Sequence, residues 1–328
     1  MENLTIPEFV KRRNSEKKLF TAGPASLLDA NIYGLMPCFG RGDEDYLHVE
    51  SSVLDKLKTM SGHTKIARLQ GSASLALEIM ALNFLYGKVL VVQTGYYSER
   101  MISLSNFAKR LGNISSIDVI DWMDLSSISG HFDWIIACPT ETSCGLRIPI
   151  DVLKYAAVKV KSKLMLDATA SIGLEEGHEL ADVIAYSSCK GLFGLTGAAF
   201  IAFNELPSIK VESFYLDLVS HLEKRMTGPY HAIASLDYVL KDHEGFREAV
   251  VINKERFMAV MKNYLTFGIE HQPLLCTKVS CEISTKDTRS VLYKPRTIDP
   301  GSVICHLGEV HLARDAKGSI LDALEHSG

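Results

Sequence analysis

VIAYSSCKGLFGLTGAAFIAF, residues 183–203, sets two short apolar runs on either side of a single lysine. Val183 to Tyr186 and Ala198 to Phe203 read as buried strands, and the Gly-rich turn between them carries Lys190. An ammonium is costly to desolvate, so an amine held between buried strands favours its neutral, nucleophilic form and can make a Schiff base. Taken alone, the same lysine reads more simply as an ordinary surface residue on a loop tip, since lysines are rarely buried.

Outward from this stretch the pattern repeats. Short apolar runs recur at Ile66 to Leu69, Val89 to Val92, Ile117 to Ile120, Trp134 to Ala137 and Leu164 to Leu166. Helical spacing separates several of them, at His48 to Met60, Leu75 to Tyr86, Ser98 to Leu111 and Ile150 to Val160. Alternation of this kind predicts an α/β fold with a mostly parallel sheet covered by helices on both faces. Ligands in such sheets collect at the carboxyl ends of the strands. Residues 1–18 are polar and read as an N-terminal arm, 19–253 as the large domain, and 254–328 as a smaller C-terminal α+β domain.

With 328 residues, 47% of them hydrophobic, the chain can bury a large core. A net charge of -4 offers no electrostatic reason to expect nucleic acid or an anionic membrane as partner. No apolar run reaches membrane-spanning length, and the first residues lack the apolar centre of a secretory signal. The cysteines, at 38, 138, 144, 189, 276, 281 and 305, are odd in number and contain no CxxC pair. That usage suits reduced thiols in the cytoplasm and predicts no metal site.

Unusual polar residues stand at the strand ends. Gln70-Gly71-Ser72-Ala73-Ser74 joins a strand to a helix N-terminus, where free amides and the helix dipole attract an anion such as phosphate; a plain N-cap by Ser72 or Ser74 is the simpler alternative. Tyr96 and Tyr97 follow the Val89 strand, and an aromatic there can stack on a flat ligand. CPTETSCG, 138–145, brings the hydroxyls of Thr140, Thr142 and Ser143. Asp167 ends an apolar run and is either a helix N-cap or a buried carboxylate awaiting a cation, for which a protonated ring nitrogen would serve. An anion turn, a stacking aromatic, a carboxylate and a lysine are the parts that hold a phosphorylated, ring-nitrogen cofactor able to form an imine.

These segments resemble the class V branch of the fold-type I pyridoxal-phosphate enzymes, and within it the 2-aminoethylphosphonate aminotransferase group. The segments are LFTAGP at 19–24, LQGSAS at 69–74, TGYYSERM at 94–101, PTETSCGLRIP at 139–149, LDATASIG at 166–173 and SSCKGLFGLTGAAFIAF at 187–203. FGRGDEDY, 39–46, is similar to a loop near that group's active site. The resemblance implies a fold-type I transferase that binds pyridoxal 5'-phosphate. Lys190 would make the Schiff base and act as the proton-transfer base, and Asp167 would pair with the pyridinium nitrogen. Tyr97 would stack on the ring, and Thr142 or Ser143 would touch its phenolic oxygen. Ser72, Ala73, Ser74 and Ser187 would hold the phosphate, and Thr227 in MTGPYH would reach the neighbouring subunit's phosphate, which implies a homodimer.

One departure bears on the substrate. Where the family carries an arginine that clamps the substrate's acid group, SVICHLG at 302–308 places Val303. Arg41, the pair Lys294 and Arg296, and His306 are the candidate replacements. The expected activity is transfer of an amino group from a small amine or amino acid to a keto acid or aldehyde. A lyase or decarboxylase on the same cofactor, which tolerates a missing clamp better, and a non-catalytic relative are the alternatives.

Overall fold

The apolar runs assemble into one seven-stranded sheet. Its strands are β1 (Lys65–Gln70), β2 (Gly87–Gln93), β3 (Ile114–Asp121), β4 (Trp134–Ala137), β5 (Lys163–Asp167), β6 (Val183–Ser187) and β7 (Ala198–Phe203). Their spatial order is β1-β7-β6-β5-β4-β2-β3. Only β7 runs against its neighbours, pairing antiparallel with both β1 and β6; the remaining pairs are parallel. The computed structural model describes residues 4–35, 39–40, 42–224, 226–297, 299–312 and 319–326.

Continuous apolar runs form central strands because both faces are covered. Leu90 and Val92 of β2 enter one core and Val89 and Val91 the other, and the same alternation divides Ile184 and Tyr186 of β6 from Val183 and Ala185. The helix Ala73–Phe84 lies over the second core and is mostly apolar, with Ala76, Leu77, Ile79 and Met80 fully buried. Each such large side chain contributes about 1.5–3 kcal/mol through burial. At the edge, β3 reads ISSIDVID and keeps polar residues toward solvent, which discourages pairing with another chain.

The helix expected from His48 begins four residues earlier, at Glu44, because Asp43 caps it by accepting from the amides of Asp45 and Tyr46 at 3.0 and 3.3 Å. It ends at Gly62, whose φ of 70° supplies the left-handed turn. Directly after Asp167 the chain makes turns and no α-helix, so the N-cap alternative for that residue does not apply.

Both ends of the chain gather at a smaller module. A helix, Ile6–Glu16, leads into the short strand Lys18–Phe20, which pairs in parallel with Ser290–Leu292. The antiparallel pair Cys276–Val279 and Ser302–Cys305 stands beside it. The helix His243–Val260 passes unbroken through the division placed at 253/254. Among the described residues no helix is long and apolar enough to cross a membrane, and no group of His, Cys, Asp and Glu is arranged to hold a metal.

Candidate active site

The carboxyl ends of β2, β4, β5 and β6 converge on one narrow cavity. Lys190, Asp167, Tyr97 and Arg100 line it together with Cys138, Thr140, Thr142, Thr169 and Ala170. Lys190 and Asp167 therefore meet at one site, and the sheet brings them there from adjacent parallel strands.

The turn that carries Lys190 is held rigid by its own backbone. Ser188 Oγ donates to the carbonyls of Leu195 and Ala198, and the amides of Gly194 and Phe193 donate to Ser188 and Lys190. The LFTAGP segment closes over the lysine. Gly23, at φ 92°, lies so near that a Cβ there would come within 2.9 Å of Lys190 Cγ and 2.7 Å of the Cys189 carbonyl. Only glycine permits that approach.

Asp167 is 3% exposed. One carboxylate oxygen accepts from the Thr169 amide at 3.0 Å, and the group makes no other hydrogen bond among the described residues. Burial pushes the neighbouring Cys138 thiol well above its ordinary range, and the Asp167 carboxylate adds to the effect, so that sulfur stays protonated. Thr140, Thr142 and Thr169 each present a buried hydroxyl oxygen with no hydrogen-bond partner. Buried hydroxyls are nearly always satisfied, so three orphans around an unpaired carboxylate mark a place built for a polar guest.

At the turn after β1, Ser72 occupies the N-cap position of the helix Ala73–Phe84, yet its side chain makes no capping bond. The side-chain cap expected in the plain N-cap alternative is therefore absent, and the Ser72 hydroxyl is open at the helix N-terminus. Ser74 is exposed and accepts from Arg100 at 3.2 Å. Arg100 lies 5.0 Å over the Tyr97 ring and has no carboxylate partner among the described residues. It joins the anion turn to the aromatic, and its place one helical turn after Tyr97 was the only sequence signal for it. Ser187 is buried at the end of β6, 3.5 Å from the Cys189 sulfur.

Thr142 and Ser143 have separate roles. Ser143 Oγ donates to Glu141 and receives the Tyr96 amide, so its hydroxyl is occupied, whereas Thr142 faces the cavity. Glu141, fully buried, escaped the sequence reading. Besides Ser143 it accepts from the amides of Tyr97 at 2.9 Å and Ser98 at 3.3 Å. Burial raises its pKa, and these donors partly offset the rise. Tyr293, also unread, sets its phenol close to Thr142 and Tyr97 without completing a hydrogen bond.

The candidate clamps are dispersed. Arg41 lies outside the described residues. Arg296 is exposed at the rim, donating to Tyr96 Oη at 2.9 Å and stacked 5.1 Å from that ring. Lys294 is exposed. His306 belongs to the core of the small module, bonded to Thr277 Oγ1 at 2.9 Å and packed on Phe257, so it is withdrawn as a clamp. Thr227 is exposed outside the cavity lining, on a segment that Arg68 fastens through the Met226 carbonyl.

No family model matches the chain. It is 26% identical to the 2-aminoethylphosphonate–pyruvate transaminase of Pseudomonas aeruginosa, over 69% of this chain and 68% of that one. Its structure is similar to alanine–glyoxylate aminotransferase from Nostoc sp., with a TM-score of 0.77, 15% identity and coverage of 96% and 95% of the two chains. Pyridoxamine–pyruvate aminotransferase from Mesorhizobium loti gives a TM-score of 0.74 at 17% identity, covering 90% of this chain and 87% of that one. The fold is fold-type I, and the chain is a relative of aminotransferases in sequence and in architecture.

Proposed function

We propose that this chain is a pyridoxal-phosphate-dependent aminotransferase, a cytoplasmic homodimer that moves the amino group of a small, acid-bearing amine of the 2-aminoethylphosphonate kind to a keto acid or aldehyde. The observation that carries this reading is the cavity between Lys190 and Asp167 with its three unpartnered threonine hydroxyls. Ser72, Ser187 and the amides of Ala73 and Ser74 would receive the cofactor's phosphate, with Arg100 adding charge from the side. Asp167 would hold the ring nitrogen in its protonated form, Tyr97 would cover the ring and Thr142 would face its phenolic oxygen.

Bound there, pyridoxal phosphate supplies an electron sink for the carbon that bears the amino group. The chain's own part is positioning and proton transfer. Lys190 Nζ would take the proton from that carbon and deliver it to the cofactor side, a task for an amine held at fixed geometry. The protonated Cys138 thiol is a poor nucleophile and leaves the amine unchallenged. Thr227, exposed and away from its own cavity, would serve the phosphate of a second copy.

Purified protein mixed with pyridoxal phosphate should acquire visible absorbance, and borohydride should fix the cofactor on Lys190. Bleaching by an amino donor and recovery with pyruvate then establish amino transfer. A colourless protein that remains unlabelled defeats the proposal. Val303 favours one second reading, a lyase or decarboxylase, which would release ammonia or carbon dioxide while the colour persists.

A further inference from the structure

The strands Cys276–Val279 and Ser302–Cys305 pair so that Lys278 stands directly across from Val303, and Cys276 across from Cys305. The His306 amide donates to the Leu275 carbonyl at 2.9 Å, which makes 275 and 306 a hydrogen-bonded pair. By alternation, 278 and 303 form a non-hydrogen-bonded pair, the kind whose side chains approach most closely and project to one face. That face looks toward the active site: Val303, Cys276 and Cys305 pack in one cluster with Ala170, which lines the cavity beside Lys190.

Lys278 is only 5% exposed. Its ammonium makes no hydrogen bond or ion pair among the described residues, whereas the other buried lysine, Lys254, donates to the carbonyls of Gln272 and Pro273. Its stem is held in place. Gly145, at φ 67° in the loop that bears Thr142, approaches so closely that a Cβ there would come within 3.0 Å of Lys278 Cβ. The side chain is enclosed and has no counter-charge of its own among the described residues, so an arriving anion would be its first charged partner. Arg296, solvated at the rim, is not enclosed in this way.

We propose that Lys278 receives the acid group of the amino donor, acting from the strand opposite Val303 in place of a guanidinium on that residue's own strand. This rests on the aminotransferase reading for the identity of the donor, though not for the binding of the acid itself. An ammonium is a compact point charge with rotatable donors and imposes no planar two-point fork. The class of ligand is therefore a short amine ending in a phosphonate or a carboxylate, with geometry at the acid group loosely read.

The test uses the full chain loaded with pyridoxal phosphate. Donor-dependent bleaching is measured for 2-aminoethylphosphonate, β-alanine and propylamine, the last lacking an acid. Binding of ethylphosphonate and propionate, which lack the amine, is measured by calorimetry. Lys278→Met should reduce the preference for acidic donors over propylamine about 10- to 100-fold, through KM more than kcat, and weaken the two acids similarly. Lys278→Arg should restore much of both, and phosphonate against carboxylate tells which acid is native. Wild-type protein that binds the acids but transfers no nitrogen overturns the aminotransferase reading and leaves this one standing. Acids that bind Lys278→Met as well as wild type, with equal melting temperature and colour, overturn this one, as does wild type with no affinity for either acid.

Discussion

Glu141 accepts the amide of Tyr97 at 2.9 Å, so a loop at the end of β4 caps the helix that starts at the end of β2. Gly95 provides no capping side chain of its own, and a Cβ there would press on Glu141 Cγ at 3.0 Å. The carboxylate thus replaces a local cap and fixes an aromatic that lines the candidate site. Removing it in Glu141→Ala strands several buried donors and should destabilise the protein by about 1–3 kcal/mol. A urea titration measures the loss; an unchanged midpoint would show that the amides find other acceptors.

The same residue predicts a pH effect. Burial raises the Glu141 pKa above its ordinary 4.5, so the folded protein holds this proton where the unfolded chain has released it. Stability from this group is full below about 4.5 and declines as pH rises through the raised folded value. Glu141→Gln does not titrate there. The melting temperature of wild type minus that of Glu141→Gln should fall with rising pH, and a flat difference would contradict the assignment.

Arg100 reaches from the Tyr97 helix to Ser74, in the turn proposed for the phosphate. A guanidinium there would add charge-assisted hydrogen bonds to a phosphate otherwise met by neutral donors. Arg100→Gln should weaken pyridoxal phosphate about 10- to 100-fold and phosphate-free pyridoxal far less, as read by absorbance titration. Equal losses for both ligands would place Arg100 with the ring instead.

What the sequence made legible follows from the range of the interactions. Strands buried on both faces announce themselves as short apolar runs, and Lys190, Asp167 and Ser72 stand at strand ends where ligands gather in parallel sheets. Glu141, Arg100 and Lys278 were missed because each acts across elements. Glu141 caps a helix 44 residues away, and Lys278 gains its meaning from a register with Val303 that no local pattern encodes. Ser143 looked equivalent to Thr142 until its neighbour Glu141 claimed its hydroxyl.

Acid should unfold the protein through buried imidazoles. Burial lowers the pKa of His178 and of His311 to about 4. The unfolded chain binds these protons near 6.5, so each contributes stability that is full above about 6.5 and is lost as pH falls through about 4. The amount is about 3 kcal/mol each, as an order of magnitude. His178 is bonded to Ser171 Oγ at 2.9 Å, and His178→Gln can keep one hydrogen bond while removing the titration. The variant's melting temperature should fall less than that of wild type between pH 6.5 and 4. Parallel curves would rule out this source of acid sensitivity.

Thr227 tests the dimer without a structure of one. It stands exposed on a segment fastened by Arg68, outside the lining of the cavity that its own chain forms. If it serves the phosphate of a second copy, Lys190→Ala and Thr227→Glu damage different sites of a mixed dimer. A chain with Lys190→Ala has no competent lysine but lends an intact Thr227; a chain with Thr227→Glu keeps its lysine and borrows that threonine. Each protein alone should be inactive. Mixed after mild unfolding and refolding, half of the dimers are hybrid and one site in each hybrid is whole, so activity should return to about one quarter of wild type. If Thr227 served its own chain, the lysine-bearing site of every hybrid would carry the glutamate, and mixing would restore nothing.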